Sequence, residues 1–129
     1  MIRARELRFV LVVEDYDAAV RLYRDVFGLE VVMDLGDDGG RGLILKVPAA
    51  TLELADLEHG RIVDEIEVGR PVDDRRRIAV EVDELSDAVE AVTETGAEPL
   101  AAAVDTPWGD RNQRFRAKDG LQLTLFQSS

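Results

Sequence analysis

Alternating apolar and polar residues twice give way to an apolar stripe at three- and four-residue steps, and the two copies align. Arg8-Phe9-Val10-Leu11-Val12-Val13-Glu14-Asp15-Tyr16-Asp17-Ala18-Ala19-Val20 matches Arg77-Ile78-Ala79-Val80-Glu81-Val82-Asp83-Glu84-Leu85-Ser86-Asp87-Ala88-Val89 at a constant offset of 69 residues. Each copy reads as a strand, an acidic break and a helix. The helical stripes are Ala19, Leu22, Tyr23, Val26, Phe27 and Leu85, Ala88, Val89, Val92, the spacing of one buried helix face. Gly28 and Gly96 follow the stripes, where glycine suits the left-handed residue that closes a helix. Acidic residues (Glu14, Asp15, Asp17; Asp83, Glu84, Asp87) crowd both helix starts, where carboxylates cap free N–H groups and favour the helix dipole.

Strand patterns fill the space after each helix. Residues 29–35 are rich in β-formers, Asp37-Asp38-Gly39-Gly40 is a turn, and 43–47 and 51–55 read as two further strands. In the second half, 99–104, 111–117 and 121–127 take the same places, with Lys118-Asp119-Gly120 as a hairpin turn. The pattern predicts an α+β fold of two βαβββ modules from an internal repeat, residues 1–55 and 75–129, in one domain spanning 1–129. The joint, 56–74, is acidic, and its pattern allows a short strand or turn at 62–68. Paired modules place curled mixed sheets around a cleft, with the helices outside. Strand alternation turns Phe9, Leu11 and Val13 towards the helices, and Arg8, Val10 and Val12 towards the cleft. The same parity puts Arg77, Ala79 and Glu81 on the cleft side.

Charge narrows the partners. Lys and Arg number 16 against 27 Asp and Glu, a net charge of −11. This disfavours nucleic acid and anionic membranes, which reward basic patches. No apolar run approaches the roughly 20 residues that span a bilayer, and Met1-Ile2-Arg3-Ala4-Arg5-Glu6 lacks the apolar core of a signal peptide. There is no cysteine, so no disulfide forms and a reducing cytoplasm is the default compartment. No phosphate loop, nucleophile elbow or zinc motif is present.

Two stretches carry a family resemblance. Leu22-Tyr23-Arg24-Asp25-Val26-Phe27-Gly28-Leu29-Glu30-Val31, and Asp105-Thr106-Pro107-Trp108-Gly109-Asp110-Arg111-Asn112-Gln113-Arg114-Phe115 followed by Lys118-Asp119-Gly120-Leu121-Gln122-Leu123, resemble the vicinal oxygen chelate superfamily. That superfamily contains glyoxalase I, the extradiol dioxygenases and the bleomycin-resistance proteins. The chain is most similar to bleomycin-resistance-type and uncharacterised glyoxalase-like members. The resemblance implies that metal-dependent relatives hold a divalent ion with one side chain each from the first, fourth, fifth and eighth strands, usually His or Gln, Glu, His and Glu. The matching positions here are Arg8, Glu53, Arg77 and Thr124. Of these only Glu53 suits a metal, because a guanidinium is a permanent cation with no free lone pair. A two-His-one-carboxylate iron site needs two imidazoles, and His59 is the single histidine, in the joint and off the ligand strands. No metal and no other cofactor is expected.

Arg8 and Arg77 then carry two readings. They pair with Glu53 and Glu81 in a salt-bridged plug that replaces the metal, or they hold an anionic or carbonyl-bearing ligand through forked hydrogen bonds. Trp108, the only tryptophan, is either a packing or dimer-contact residue or an aromatic lid over the cleft, with Phe115 and Phe126 nearby. Met33 reads as core, His59 as a solvated loop residue, and Arg75-Arg76 as surface charge. The expected function is metal-independent binding of a small organic molecule in the cleft, by a homodimer with no nucleic-acid or membrane partner. One alternative is a lyase, isomerase or dioxygenase-like enzyme whose arginines stabilise an enolate or oxyanion, with Glu53 or Glu81 as base. The other is a non-catalytic structural paralogue with a salt-bridged cleft.

Overall fold

A computed structural model describes residues 8, 9, 11–36, 40–51, 53, 55–72 and 74–129. Val10, Leu52, Leu54 and the Asp37-Asp38-Gly39 part of the predicted turn lie outside the described residues. Helix α1 starts as Tyr16–Val20 and widens into a π-helical stretch, Arg21–Val26. The hairpin strands β1 (Glu30–Asp34) and β2 (Leu43–Lys46) follow. Next come α2 (Leu57–Glu67), β3 (Arg77–Glu81) and α3 (Leu85–Glu94). The chain ends with β4 (Glu98–Pro99), β5 (Val104–Asp105), β6 (Asp110–Arg116) and β7 (Gln122–Ser128). The α+β class is as the patterning predicts.

The helix signals act as read. The Asp15 side chain caps α1 by accepting from the Ala18 N–H at 3.0 Å, and that bond holds its carboxyl below the usual range. Gly28 and Gly96, at φ of 71° and 96°, end α1 and α3 in a conformation that costs a side chain dearly. A Cβ at Gly96 would also fall 2.9 Å from Lys118 Cδ.

The second module forms one sheet in the order β3-β7-β6-β4, with β5 also on β6. β3 runs parallel to β7 and β6 antiparallel to it. One face of this sheet carries Phe115, Leu123 and Leu125, all fully buried, against Leu22 of α1 and Leu85 and Val92 of α3. This is the core. Tyr23 packs beside it and donates to Asp119 Oδ2 at 2.8 Å, which ties α1 to the β6–β7 turn. Burial, reinforced by the Asp119 charge, pushes the Tyr23 hydroxyl pKa well up.

The first module departs from its expected symmetry. Its sheet is the two-stranded β1–β2 pair, and among the described residues of 8–13 and 51–55 no strand is assigned. Val12 is 95% exposed, and Val31, Val32, Met33, Leu35 and Val47 are exposed as well. Met33 is therefore not core. The hairpin meets α1 through Arg41, which pairs with Asp17 at 2.9 Å and lies 4.5 Å from the Tyr16 ring centroid.

The joint holds the main correction. Residues 57–67 form an eleven-residue helix, α2, not a short strand or turn. Asp56 caps it by accepting from the His59 N–H at 2.9 Å, so His59 is an exposed first-turn residue instead of a loop residue. The buried residues of α2 are Val63 and Glu67, one turn apart on a single face. A carboxylate and Gly60 in that stripe hide the helical period from a reading of apolar positions. Among the described residues, no helix is long and apolar enough to cross a membrane.

Candidate functional site

The face of the large sheet opposite the core is polar, and strand register explains why. Arg77 lies beside Gln122, Ala79 beside Thr124 and Glu81 beside Phe126. Across the other edge of β7, Arg116 faces Gln122, Arg114 faces Thr124 and Asn112 faces Phe126. Residues paired in register share a face. The parity expected for Arg77, Ala79 and Glu81 therefore holds, and Thr124 and Phe126 join them. Phe115 is one residue out of phase and belongs to the core face.

Helix α2 covers this polar face with two carboxylates. Glu67 Oε1 accepts from Arg114 Nε at 3.1 Å and from Thr124 Oγ1 at 2.9 Å. Its Oε2 accepts from Asn112 Nδ2 at 3.1 Å. Asp64 Oδ1 accepts from Arg114 Nη1, and Asp64 Oδ2 accepts from the Val72 N–H at 3.2 Å. Gln122 Oε1 accepts from Arg114 Nη1 at 3.3 Å, and its Nε2 donates to the Asp74 carbonyl at 3.2 Å. Arg114, Glu67, Gln122, Thr124 and Asn112 are all buried. An ion pair this far from water needs good geometry and further hydrogen bonds to offset the loss of hydration, and the sheet supplies both.

The cluster is incompletely satisfied. Among the described residues, Nη2 of Arg114, Oδ1 of Asn112 and Nε of Arg77 are buried without a hydrogen-bond partner. Such atoms are costly and uncommon in a folded protein.

The residues expected at the site are dispersed. Arg8 and Glu53 are exposed. Arg77 is half-buried on the polar face, and among the described residues no ion pair joins it to Glu53 or Glu81. Glu81 instead accepts from Ser128 Oγ at 3.0 Å. The expected plug is Arg8 and Arg77 with Glu53 and Glu81; the buried ion pairs found on this face among the described residues are those of Arg114 with Glu67 and Asp64. Trp108 is 49% exposed in the turn before β6. Phe126 is half-buried on the polar face. Arg114, Asn112, Gln122 and Glu67 went unread. For the first two, the alternation of Asn112, Arg114 and Arg116 with Phe115 and Ala117 was the available signal.

The donor set here does not suit a divalent cation. Thr124 Oγ1 and Asn112 Nδ2 donate to Glu67, Asn112 Oδ1 is the one uncommitted neutral oxygen beside it among the described residues, and the Arg114 guanidinium stands 3.1 Å from the same carboxylate. A fixed positive charge opposes a metal at that oxygen. Among the described residues, no three His, Cys, Asp or Glu side chains are grouped as metal ligands.

These features define an α+β protein with two sheets, the larger of which is apolar on one face and polar on the other. The family model "Glyoxalase/Bleomycin resistance protein/Dioxygenase superfamily" matches residues 7–125, and the chain belongs to that superfamily. Hypothetical protein SA1046 from S. aureus aligns with a TM-score of 0.63 at 15% identity, over 97% of this chain and 95% of that one. A glyoxalase/bleomycin resistance protein/dioxygenase superfamily member from Sphaerobacter thermophilus DSM 20745 aligns at 0.56 and 23% identity, over 95% and 98%. The fosfomycin resistance protein FosX from Listeria monocytogenes aligns at 0.56 and 15% identity, over 100% and 96%. Likeness at these identities concerns the fold. No curated protein matches the chain in sequence.

Proposed function

We propose that the protein binds a small organic molecule, without a metal ion, on the polar face of the β3-β7-β6 sheet. The observation that carries this is the convergence of Arg114, Thr124 and Asn112 on one carboxylate, with buried polar atoms left over beside it. A set of donors aimed at one anionic group, in a dry setting, is how small-molecule sites fix orientation. Phe126 and Arg77 on the same face extend the surface. FosX is named for fosfomycin resistance, and at 15% identity its ligand is not carried over. Native mass spectrometry of the protein as purified tests the reading. A co-bound organic compound of defined mass supports it, and loss of that compound in an Arg114→Gln variant that keeps the native fold assigns it to the cluster. A bare chain that also ignores a panel of organic acids refutes it.

A second reading has its own observation. Both charges facing Arg114 come from the chain itself, as expected of a paralogue in which a salt-bridged plug has replaced a site. We also propose that a second copy of the chain covers the exposed apolar hairpin, because an isolated two-stranded sheet is marginal in water.

A further inference from the structure

We propose, on the footing of the binding site above, that α2 is a built-in competitor: Glu67 occupies a receptor for an organic carboxylate, which a free ligand enters when α2 leaves the sheet. The receptor is made by the sheet alone. Arg114 Nε, Thr124 Oγ1 and Asn112 Nδ2 all donate to the Glu67 carboxylate, and each comes from β6 or β7. Only the carboxylate arrives from elsewhere.

The fit of Glu67 is incomplete. The Nε–H of an arginine and its neighbouring Nη2–H point the same way and form one fork. Glu67 takes only the Nε arm, and Nη2, although buried, has no hydrogen-bond partner among the described residues. A carboxylate free of the helix takes both arms at once. It therefore gains a charge-assisted hydrogen bond that the tethered one does not make.

The helix is also held in a way that permits exchange. Its contact with the sheet is mainly polar: Val63 is its one buried apolar residue, and Leu57 and Ile62 are exposed. Gly69, at φ 81°, follows its C-cap residue Val68. Exchange takes two carboxylates, Glu67 and Asp64, from Arg114 into water and returns one, which leaves the guanidinium paired one to one with its ligand. Phe126, in register with Asn112, gives the ligand's body an aromatic neighbour. The predicted ligand class is a small carboxylic acid with an apolar or aryl body.

The test uses the intact chain with benzoate and acetate as probes and benzamide as the neutral control. Hydrogen exchange of the amides of α2 is followed with and without probe, and probe affinity is compared between the wild type and Glu67→Gln. Benzoate should speed exchange across 57–67 in the wild type, and benzamide should not. Glu67→Gln should bind benzoate about ten-fold more tightly, because the competent state no longer has to be won from the helix. Equal affinity in both proteins with unchanged exchange across α2 overturns the competitor and leaves the binding site standing. Binding of neither acid to either protein overturns the receptor and the site together. The wild-type exchange measurement stands even if Glu67→Gln folds poorly.

Discussion

Replacing Arg114 with methionine should be among the most damaging single changes to this fold. The side chain is 1% exposed and faces Glu67 at 2% and Asp64 at 15%. Methionine fills most of the volume and removes the charge, which leaves Glu67 buried with only Thr124 and Asn112 donating to it. Breaking one side of a buried pair in this way costs about 3–5 kcal/mol. Near the size of this 129-residue chain that lowers the melting temperature by roughly 10–20 °C. Glu67→Leu alone leaves Arg114 with Asp64 and should lose less. The double variant Arg114→Met/Glu67→Leu removes the buried charges together and should recover much of the loss, with a coupling of about 2–3 kcal/mol between the two sites. Urea melts of the four proteins at constant m-value measure each corner of the cycle. If Arg114→Met loses less than about 1 kcal/mol, or the double variant is no better than the sum of the singles, the buried pair does not hold α2 to the sheet.

Three further outcomes are expected. Elemental analysis after dialysis should find well under one equivalent of Zn, Ni, Mn or Fe per chain, and a stoichiometric ion would contradict the donor-set argument. Sedimentation should give about twice 14.3 kDa, with Met33→Asp moving the protein towards a single chain; a monomeric wild type removes the proposed dimer. Asp15 stabilises the start of α1 through a bond that lowers its pKa from 3.8, so its contribution is present above that value and fades as pH falls through the lowered one. The stability gap between wild type and Asp15→Ala should accordingly close in acid melts below about pH 4, and a gap that persists there means another group carries the cap.

The fold was legible where sequence and packing speak the same language. The α3 stripe of Leu85, Ala88, Val89 and Val92 packs as read, and the core residues Phe115, Leu123 and Leu125 alternate along β6 and β7 as strand parity requires. The glycines at 28 and 96 stop their helices. The two copies of the repeat are realised unevenly among the described residues. Equal sequence pattern at 8–13 and 77–82 implied equal structure, yet β3 is buttressed by β7 while Phe9 and Val12 stay largely exposed. Pattern records which residues are apolar; whether a partner strand covers them depends on contacts that no local window contains.

The site was legible in kind but not in its members. The set expected from the sequence is Arg8, Arg77, Glu53 and Thr124; the buried cluster on the sheet face shares Thr124 with that set and is otherwise built from Arg114, Glu67 and Asp64. The members differ because α2 was invisible. Its docking face carries Glu67 where an apolar stripe would carry leucine, so the residue that anchors the helix is the one that disguised it. That substitution is itself informative. An apolar residue at 67 would hold a helix to a sheet as well or better, because replacing buried ion pairs by packed apolar groups is often neutral or stabilising. A polar anchor that three sheet donors coordinate, one arm of a guanidinium fork short of completion, is weaker glue and a better mimic. The choice of glutamate there is what stability alone does not explain and reversible occupancy of a carboxylate receptor does.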